Sequence, residues 1–348
     1  LVTRQDRDST GWRLVTQARE QLGPRLTEIE LENLNQEQSQ SLIREMLHIT
    51  DIPDVIRKIV LEKSEGNPYF IKELIRMLIN EKVLFKKNDR WVVASGINVN
   101  MVPNSLQGLL TARIDRLPPE ARLTLKVASV IGRSFPERVI EYVMVDRAPD
   151  LNLLEQLSVL ESIGMIKVAQ IHPELTYEFK HILLHDAAYR SILEKDRGEL
   201  HLTVGHALEG LYPEHKERLA SQLAYHFIQG QDHQNALIYL DMAGHMSMQA
   251  FATTEAENYF RRAILIADGD ERLAHLYADL GEVLAQQSKH REAFQPWNNA
   301  INYFSKLNLP DRLARIYAWS ARSAWRGYDP KRSLEICLAG LHAIEGVV

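Results

Sequence analysis

Between residues 277 and 300, the sequence carries the pattern that most narrowly constrains its fold. A Tyr, a Leu and a Gly are followed at fixed offsets by an Ala, a Trp and a second Ala, spaced so that they meet where two helices cross. Small residues let the helices approach, and the aromatic ring fills the groove between them. A generic helical bundle with alanine at its crossings is the alternative, but the complete pattern favours a repeated helix pair. The six residues are Tyr277, Leu280, Gly281, Ala293, Trp297 and Ala300.

Three further windows match the same spacing more loosely, and the spacing is that of the tetratricopeptide repeat. It predicts an α-solenoid of about four tetratricopeptide-like repeats over residues 198–348, with a groove that binds a protein or peptide. In the last and weakest window, where a generic bundle fits equally well, we expect Cys337 to be a small core residue. The windows contain Leu223, Ala224, Phe227, Ala236, Leu240 and Ala243, then Gly244, Ala256, Phe260 and Ala263, and finally Tyr317, Ala321, Ser333 and Gly340.

Two helical regions precede these repeats. Residues 28–100 indicate helices and a short hairpin, and Asn67 followed by Pro68 is a strong helix start because asparagine caps well and proline suits the first helical position. Residues 101–197 indicate helices and two strands, at 165–169 and 175–179. The predicted fold class is therefore mainly α: a helical lid, a winged-helix domain with a small β-hairpin wing, and a solenoid of repeats.

The motifs of self-contained catalysis are missing. The 348 residues lack the glycine-rich phosphate loops, the G-x-S-x-G elbow, H-E-x-x-H and C-x-x-C. The single cysteine excludes an internal disulfide and thiolate zinc sites. A net charge of -5 and the lack of a long apolar run predict a soluble, cytoplasmic protein with no membrane span and no general affinity for nucleic acid. We expect this chain alone neither to hydrolyse ATP nor to hold a cofactor.

Five motifs follow one another along the chain in a specific order. This succession resembles the STAND signalling ATPases, in particular the AAA-like modules that accompany bacterial class III adenylate or guanylate cyclases, protein kinases and LuxR-type regulators. In that family a P-loop core is followed by a helical lid, a winged helix and a helical-repeat sensor. The motifs are Ser-Glu-Gly-Asn-Pro-Tyr-Phe-Ile-Lys-Glu-Leu at 64–74, Val-Pro-Asn-Ser-Leu-Gln at 102–107, Ala-Arg-Ile-Asp-Arg-Leu-Pro at 112–118, Ala-Ser-Val-Ile-Gly-Arg-Ser-Phe at 128–135 and Phe-Lys-His-Ile-Leu-Leu-His-Asp-Ala-Ala-Tyr at 179–189.

The resemblance implies that residues 1–27 are a remnant of the ATPase core. This chain lacks the P-loop itself. The resemblance further implies that the intact protein hydrolyses ATP, holds ATP or ADP with Mg, and acts on an output such as a fused nucleotidyl cyclase. The repeats would sense a partner and shift the nucleotide state of the core. The alternative is a scaffold that binds a protein or peptide and has no link to nucleotide binding. A P-loop and Walker B acidic residues in the sequence before Leu1 would support the ATPase, and their absence would support the scaffold.

Five nucleotide-binding residues follow from the resemblance. Arg4 corresponds to the sensor-1 arginine that reaches the terminal phosphate, although a basic residue at a frayed end explains it equally well. Gly66, Asn67 and Pro68 correspond to the lid motif whose proline packs against adenine, and the same residues also start a helix. His181 corresponds to the histidine that contacts the ADP phosphate; the residue after it is Ile rather than Asp, and a half-buried cap histidine is the plain alternative.

Two other site classes are less well supported by the sequence. His181, His185 and Asp186 have the spacing of a metal pair with a carboxylate, but no third histidine or cysteine ligand is indicated, so we predict no metal site. The helix between residues 150 and 164 would be the DNA-recognition helix of a winged helix. It carries acidic residues and no Lys or Arg, which would repel the phosphate backbone.

Overall fold

The structure, a computed structural model, describes residues 10–49, 53–87, 90–94, 103, 105–145 and 147–345. The chain forms two compact units, residues 1–113 and 114–348. The finer division into segments 1–27, 28–100, 101–197 and 198–348 stays a prediction. Among the described residues, no helix is both long and apolar enough to cross a membrane.

The first unit is helical with one antiparallel hairpin. The helices between residues 36 and 80 bury one apolar face each, around Ile43, Ile56, Ile71 and Leu74, and Leu84 of the hairpin closes the same core. The helix α1 was not predicted, because residues 1–27 were interpreted as part of an ATPase core. The elements are α1 (Thr10–Leu22), α2 (Gln36–Leu47), α3 (Asp54–Ser64), α4 (Pro68–Asn80), β1 (Leu84–Lys87), β2 (Arg90–Val93) and α5 (Leu106–Asp115), which continues into the second unit.

The helix start predicted at Asn67 is confirmed, and a second asparagine begins α2 in a similar way. Asn35 caps α2 through a capping box, in which its side chain accepts the Gln38 N–H at 2.9 Å and the Gln38 side chain accepts the Asn35 N–H at 3.0 Å. Asn67 caps α4 and Pro68 occupies its first turn. These bonds join residues three positions apart, which is why the local sequence was sufficient to predict them.

The second unit begins with helices around a small sheet and continues as a helical array. Within its described residues it is mainly α-helical with one three-stranded antiparallel sheet. The elements are α6 (Pro119–Ile131), β3 (Ser134–Pro136), α7 (Glu137–Val145), α8 (Leu153–Ser162), β4 (Ile166–Gln170), β5 (Thr176–Phe179), α9 (Ile182–Arg190), α10 (Glu194–Leu211), α11 (Lys216–Gln229), α12 (His233–Gln249), α13 (Thr253–Ile266), α14 (Asp270–Gln286), α15 (His290–Lys306), α16 (Pro310–Arg326) and α17 (Pro330–Glu345).

The sheet contains the predicted hairpin and one additional strand. β4 and β5 pair antiparallel close to the expected bounds, and β3 adds to the other edge of β5, so that Phe135 lies opposite Tyr177. Phe135 is fully buried and makes an edge contact with Phe179, with ring centroids 5.8 Å apart. A three-residue strand carries almost no periodic signal, and its partner lies about forty residues away, so the sequence did not indicate it.

Helices α10 to α17 form the predicted solenoid of tetratricopeptide-like repeats. Pairs of helices cross where a glycine of the first faces an aromatic ring of the second. A Cβ placed on Gly281 would lie 2.3 Å from Nε1 of Trp297, and one on Gly244 would lie 2.7 Å from the ring of Phe260. The fully matched window is thus the crossing of α14 with α15, and the loosely matched window with Gly244 and Phe260 is a crossing of the same kind, α12 with α13.

An earlier helix pair, α10 with α11, extends the array beyond the windows that the sequence matched. A Cβ on Gly205 would lie 3.0 Å from the ring of Phe227, which repeats the glycine-to-aromatic crossing. The link between these helices contains a 3₁₀ turn over Pro213–His215. This turn lengthens the spacing between glycine and aromatic residue, so a search at fixed offsets misses the pair.

The first helices of successive pairs are neighbours along one face of the array. Tyr239 of α12 donates a hydrogen bond of 2.5 Å to Glu209 of α10. His245, further along α12, lies 3.4 Å from the carboxylate of Asp279 on α14. Contacts continue from α14 to α16. The first helices of successive pairs are therefore linked by side-chain contacts across this face.

The expected role of Cys337 as a core residue is wrong, because Cys337 is exposed. The contact between α16 and α17 is made instead by Gly340, where a Cβ would lie 2.8 Å from Tyr317. Cys337 lies on a different side of α17, near Leu334 and Leu338, which are 61% and 49% exposed. Within the described residues no further helix packs on that side, so a small residue there has nothing to pack against.

Replacing Gly281 with alanine is expected to lower the free energy of unfolding by about 1–3 kcal/mol, because the added methyl would push the rigid, buried indole of Trp297 out of place. Gly210 of α10 offers a matched control, since a Cβ there meets nothing within 4 Å. Gly210→Ala should stabilise the chain by about 0.5–1 kcal/mol, because alanine is the better helix former. Urea unfolding followed by circular dichroism measures both, and equal effects would contradict the proposed crossing.

Candidate functional site

The predicted lid motif forms a tight turn between α3 and α4. Glu65 and Gly66 both have left-handed backbone conformations, with φ of 47° and 76°. The carbonyl of Gly66 accepts the N–H of Leu34 at 2.8 Å, and a Cβ on Gly66 would lie only 2.1 Å from the carbonyl oxygen of Leu34. Glycine is therefore needed at this position for two structural reasons, its positive φ and its close backbone neighbour.

Asn67 and Pro68 present different groups at the start of α4. The Asn67 side chain accepts the N–H groups of Tyr69 and Phe70 at 3.0 and 3.1 Å. Two of the donors at this helix N-terminus are therefore already satisfied by the protein. The ring of Pro68, by contrast, is exposed. Of the three lid residues, Pro68 is the one whose side chain is available to an external group.

A buried ion cluster lies one turn further along α4, and the sequence analysis missed it. Glu73 is 1% exposed, and its carboxylate pairs with Arg76 at 2.7 Å and with Arg113 of α5. Burial, followed by the negative charge of Glu73, raises the pKa of Tyr69 to about 12. Glu73 and Arg113 both lie in motifs that carried the resemblance, but forty residues separate them, so only the fold could pair them.

His181 is the N-cap of α9, as the plain alternative predicted. Its Nδ1 accepts the backbone N–H of Leu183 at 3.2 Å, in the place usually taken by a serine or aspartate oxygen. Because Nδ1 is the acceptor, the proton of the neutral ring is on Nε2. Only Nε2 can therefore donate to another group while the cap is in place.

The predicted site residues fall in different parts of the structure. Gly66, Asn67 and Pro68 belong to the first unit and His181 to the second, while Arg4 lies outside the described residues. His185 and Asp186, weighed with His181 as metal ligands, pair with each other at 3.0 Å between Nδ1 and Oδ1. The assignment of these residues to a nucleotide site stays a prediction.

A row of aromatic and histidine side chains joins the small sheet to the first helices of the solenoid. Phe179 of β5 contacts His185 of α9, which stacks on Tyr189 one turn later, with centroids 5.2 and 6.3 Å apart. The hydroxyl of Tyr189 lies 2.9 Å from Nε2 of His201 on α10. Nδ1 of His201 lies 2.9 Å from Nδ1 of His226 on α11. The row thus runs along the helix that His181 caps.

The two histidines at the end of this row are buried and neutral. Both are 1% exposed. Burial lowers the pKa of His201 to about 4 and that of His226 to about 3. The charge of Arg197 lowers the pKa of His201 further, and repulsion between two protonated rings lowers the pKa of His226 further. Two neutral rings satisfy the contact because one Nδ1 donates while the other accepts. Two protonated rings would point N–H at N–H.

A second candidate site is the groove between α12 and α14, which we call the α12–α14 groove. It has a volume of about 1110 Å³ and includes Asp241, Met242, His245 and His275. Nε2 of His245 lies 3.5 Å from Asp241 and 3.4 Å from Asp279. Asp241, His245 and Asp279 each offer one potential metal-ligand atom, and these atoms all lie within 4.8 Å of one another. In the described part of the chain, no other group of three or more His, Cys, Asp or Glu side chains does so.

Charges inside this group perturb one another. The nearby carboxylate of Asp279 raises the pKa of His245. Burial, together with the charge of Asp279, raises the pKa of Asp241 and of Glu282. The group of Asp241, His245 and Asp279 has two carboxylates and one imidazole, so its negative groups outnumber its positive ones. Sequence reasoning did not single out His245, although the i, i+4 spacing of Asp241 and His245 on one helix was the available signal.

Comparison with known proteins gives limited information. A family model described as a domain of unknown function (DUF8739) matches residues 35–90, from α2 to the hairpin. No curated protein matches. One solved structure that is similar is a Signal Transduction ATPase with Numerous Domains (STAND) protein with a tetratricopeptide repeat sensor from Pyrococcus horikoshii, with 15% identity and a TM-score of 0.36. The match covers 94% of this chain and 50% of that one, so this chain spans about half its length.

Proposed function

We propose that this chain is the regulatory part of a STAND-type signalling ATPase, composed of a helical lid, a winged helix and a repeat sensor. The P-loop core, which lies outside these 348 residues, would hold ATP or ADP together with Mg. Partner binding by the repeats would change which of the two nucleotides the core holds. The core would then act on an output domain such as a nucleotide cyclase. The ordered motifs and the placement of their residues support this proposal.

The lid motif is arranged so that it could meet a nucleotide. Gly66 is buried under the backbone of Leu34, which holds the turn in one conformation, and the ring of Pro68 is exposed at the start of α4. A proline ring is a flat apolar surface that suits the face of a purine. In the proposal, Pro68 packs on adenine, while Gly66 and Asn67 set the direction in which α4 begins.

The observation that carries the proposal is the position of His181 on α9. Its imidazole caps the helix N-terminus, where the positive end of the helix dipole favours a phosphate. The same helix carries His185 and Tyr189, which lead to His201 at the first helix pair of the solenoid. A displacement of α9 would therefore act on packed, hydrogen-bonded groups of the repeats.

The proposed mechanism is a shift between two populated states. A nucleotide that contacts His181 stabilises one position of α9 and the arrangement of the repeats that goes with it. A partner that binds better to a second arrangement of the repeats shifts the equilibrium towards that second state. Because the coupling free energy is reciprocal, ADP would lower partner affinity by the same factor by which the partner lowers ADP affinity.

Substitution of His181 in the intact protein tests this role. His181→Ala is expected to speed ADP release about tenfold, which corresponds to about 1.4 kcal/mol. His181→Asn is the matched control, because asparagine is a good N-cap and preserves α9 without the imidazole. If His181 contacts phosphate, both variants release ADP faster. If it serves only as a cap, His181→Asn behaves as the wild type, and unchanged release in both variants would remove His181 from the site.

A protein-binding scaffold without nucleotide linkage is the second candidate, and the α12–α14 groove favours it. The groove combines apolar and charged side chains on the face shared by the first helices of the pairs. Partner affinity measured with ADP, ATP and no nucleotide separates the two functions. Equal affinities would support the scaffold.

A further inference from the structure

The α12–α14 groove has a partly apolar surface that does not select for charge. Ile238 and Met246 are 49% and 36% exposed along α12, and Leu307, at the end of α15, is 36% exposed. Methionine side chains adapt to differently shaped apolar groups. This surface can accept apolar side chains of an extended segment, but it does not by itself specify which segment.

The charges of the groove are strongly one-sided. Its lining includes one arginine, Arg272, and two histidines, His245 and His275, and all its other charged side chains are carboxylates. Several acidic groups on low-dielectric walls focus a negative potential into the cleft. The carboxylates that line it are those of Glu217, Asp241, Asp268, Asp270 and Glu271.

At the centre of this potential, His245 lies between two carboxylates without good hydrogen-bond geometry. Its Nε2 is 3.5 Å from Asp241 and 3.4 Å from Asp279, outside the usual 2.7–3.2 Å range for N–H···O bonds. Asp279 is only 19% exposed, whereas His245 is 47% exposed and can move towards solvent.

We propose that the α12–α14 groove binds an extended peptide segment of a partner that carries an arginine or lysine between apolar residues. The basic side chain is placed between Asp241 and Asp279, displacing the ring of His245, and the flanking apolar side chains contact Ile238 and Met246. A guanidinium can donate to both carboxylates at once, because their oxygens lie within 4.8 Å of each other. This inference rests on the proposed partner-sensing function and adds the chemistry of the partner.

Selection of random twelve-residue peptides on the 348-residue chain tests the proposal, carried out in the presence of EDTA. Enriched peptides are expected to share one Arg or Lys flanked by apolar residues. Asp279→Asn should weaken a selected peptide about tenfold by fluorescence anisotropy, and replacing its basic residue by glutamine should do the same. Asp311→Asn, an exposed carboxylate on α16 outside the groove, is the matched control and should leave affinity unchanged.

Four results would overturn the inference: enrichment of acidic or uncharged peptides, basic peptides whose affinity Asp279→Asn does not alter, binding that appears only with Zn²⁺ in place of EDTA, and no enrichment at all. The third would assign the cluster to a metal ion. None of these depends on ADP release from the intact protein. If the selection fails but the His181 variants release ADP faster, the proposed ATPase role stands and only this inference fails. If the selection succeeds but the His181 variants release ADP at the wild-type rate, the chain is a scaffold that binds basic segments.

Discussion

Lowering the pH from 7 to 5 is expected to reduce the free energy of unfolding by about 4 kcal/mol through His201 and His226 alone, about 2 kcal/mol for each ring. Folding lowers their pKa to about 4 and about 3 because both rings are buried. In the unfolded chain both histidines titrate near pH 6.5, so between pH 7 and 5 the unfolded state binds protons that the folded state does not bind. Their stabilising effect is complete above about pH 7 and is lost as the pH falls towards 4.

Urea unfolding between pH 7 and 5 measures this effect above the ordinary pKa range of carboxylates, which is about 4. His226→Gln should flatten the pH dependence, because glutamine keeps a polar partner for His201 but does not titrate. His233→Gln replaces an exposed histidine and should leave the pH dependence unchanged. The same slope in His226→Gln and in the wild type would contradict the assignment of acid sensitivity to the buried pair.

Replacing Arg113 with methionine is expected to destabilise the first unit by about 3 kcal/mol, because it removes one of the two cations paired with a carboxylate that is 1% exposed. Methionine keeps most of the apolar stem, so that the loss reports on charge more than on packing. The other cation, Arg76, is 44% exposed, and its charge is better screened by water. Glu73 would then be left buried with a single, weaker partner.

Arg57→Met is the matched control in the same unit. Arg57 pairs with Asp54, which is 89% exposed, and exposed pairs contribute about 0–1 kcal/mol. Because the chain has two compact units, unfolding need not be two-state. Amide hydrogen exchange in α4 measures the stability of this unit directly, and similar protection in both variants would contradict the importance of the buried pair.

The sequence predicted most of the local structure because the controlling interactions are short. The caps at Asn35 and Asn67 depend on residues up to three positions away, so the local sequence is sufficient to form them. The helix pair around Gly281 and Trp297 was also predicted, since its offset of sixteen residues is fixed by helix geometry.

The same reasoning failed where the chain departs from fixed spacing. The pair formed by Gly205 and Phe227 has a longer link, and β3 is too short to show a period. Cys337 was expected to be a small core residue because it falls in the last repeat window, but it is exposed. In each case a tertiary neighbour, or the lack of one among the described residues, decided the outcome.

The candidate sites divide in the same way. The residue types of the lid motif and of His181 can be recognised in the sequence, because local turn and cap chemistry restricts them. The pairing of Glu73 with Arg113, of His201 with His226, and of His245 with Asp279 joins residues 25 to 40 positions apart. By itself, the sequence determined the helices, their ends and the repeat, since these depend on neighbours within a few turns. Only the tertiary structure decided which charges are buried together and which groove they line, because packing brings distant helices into contact.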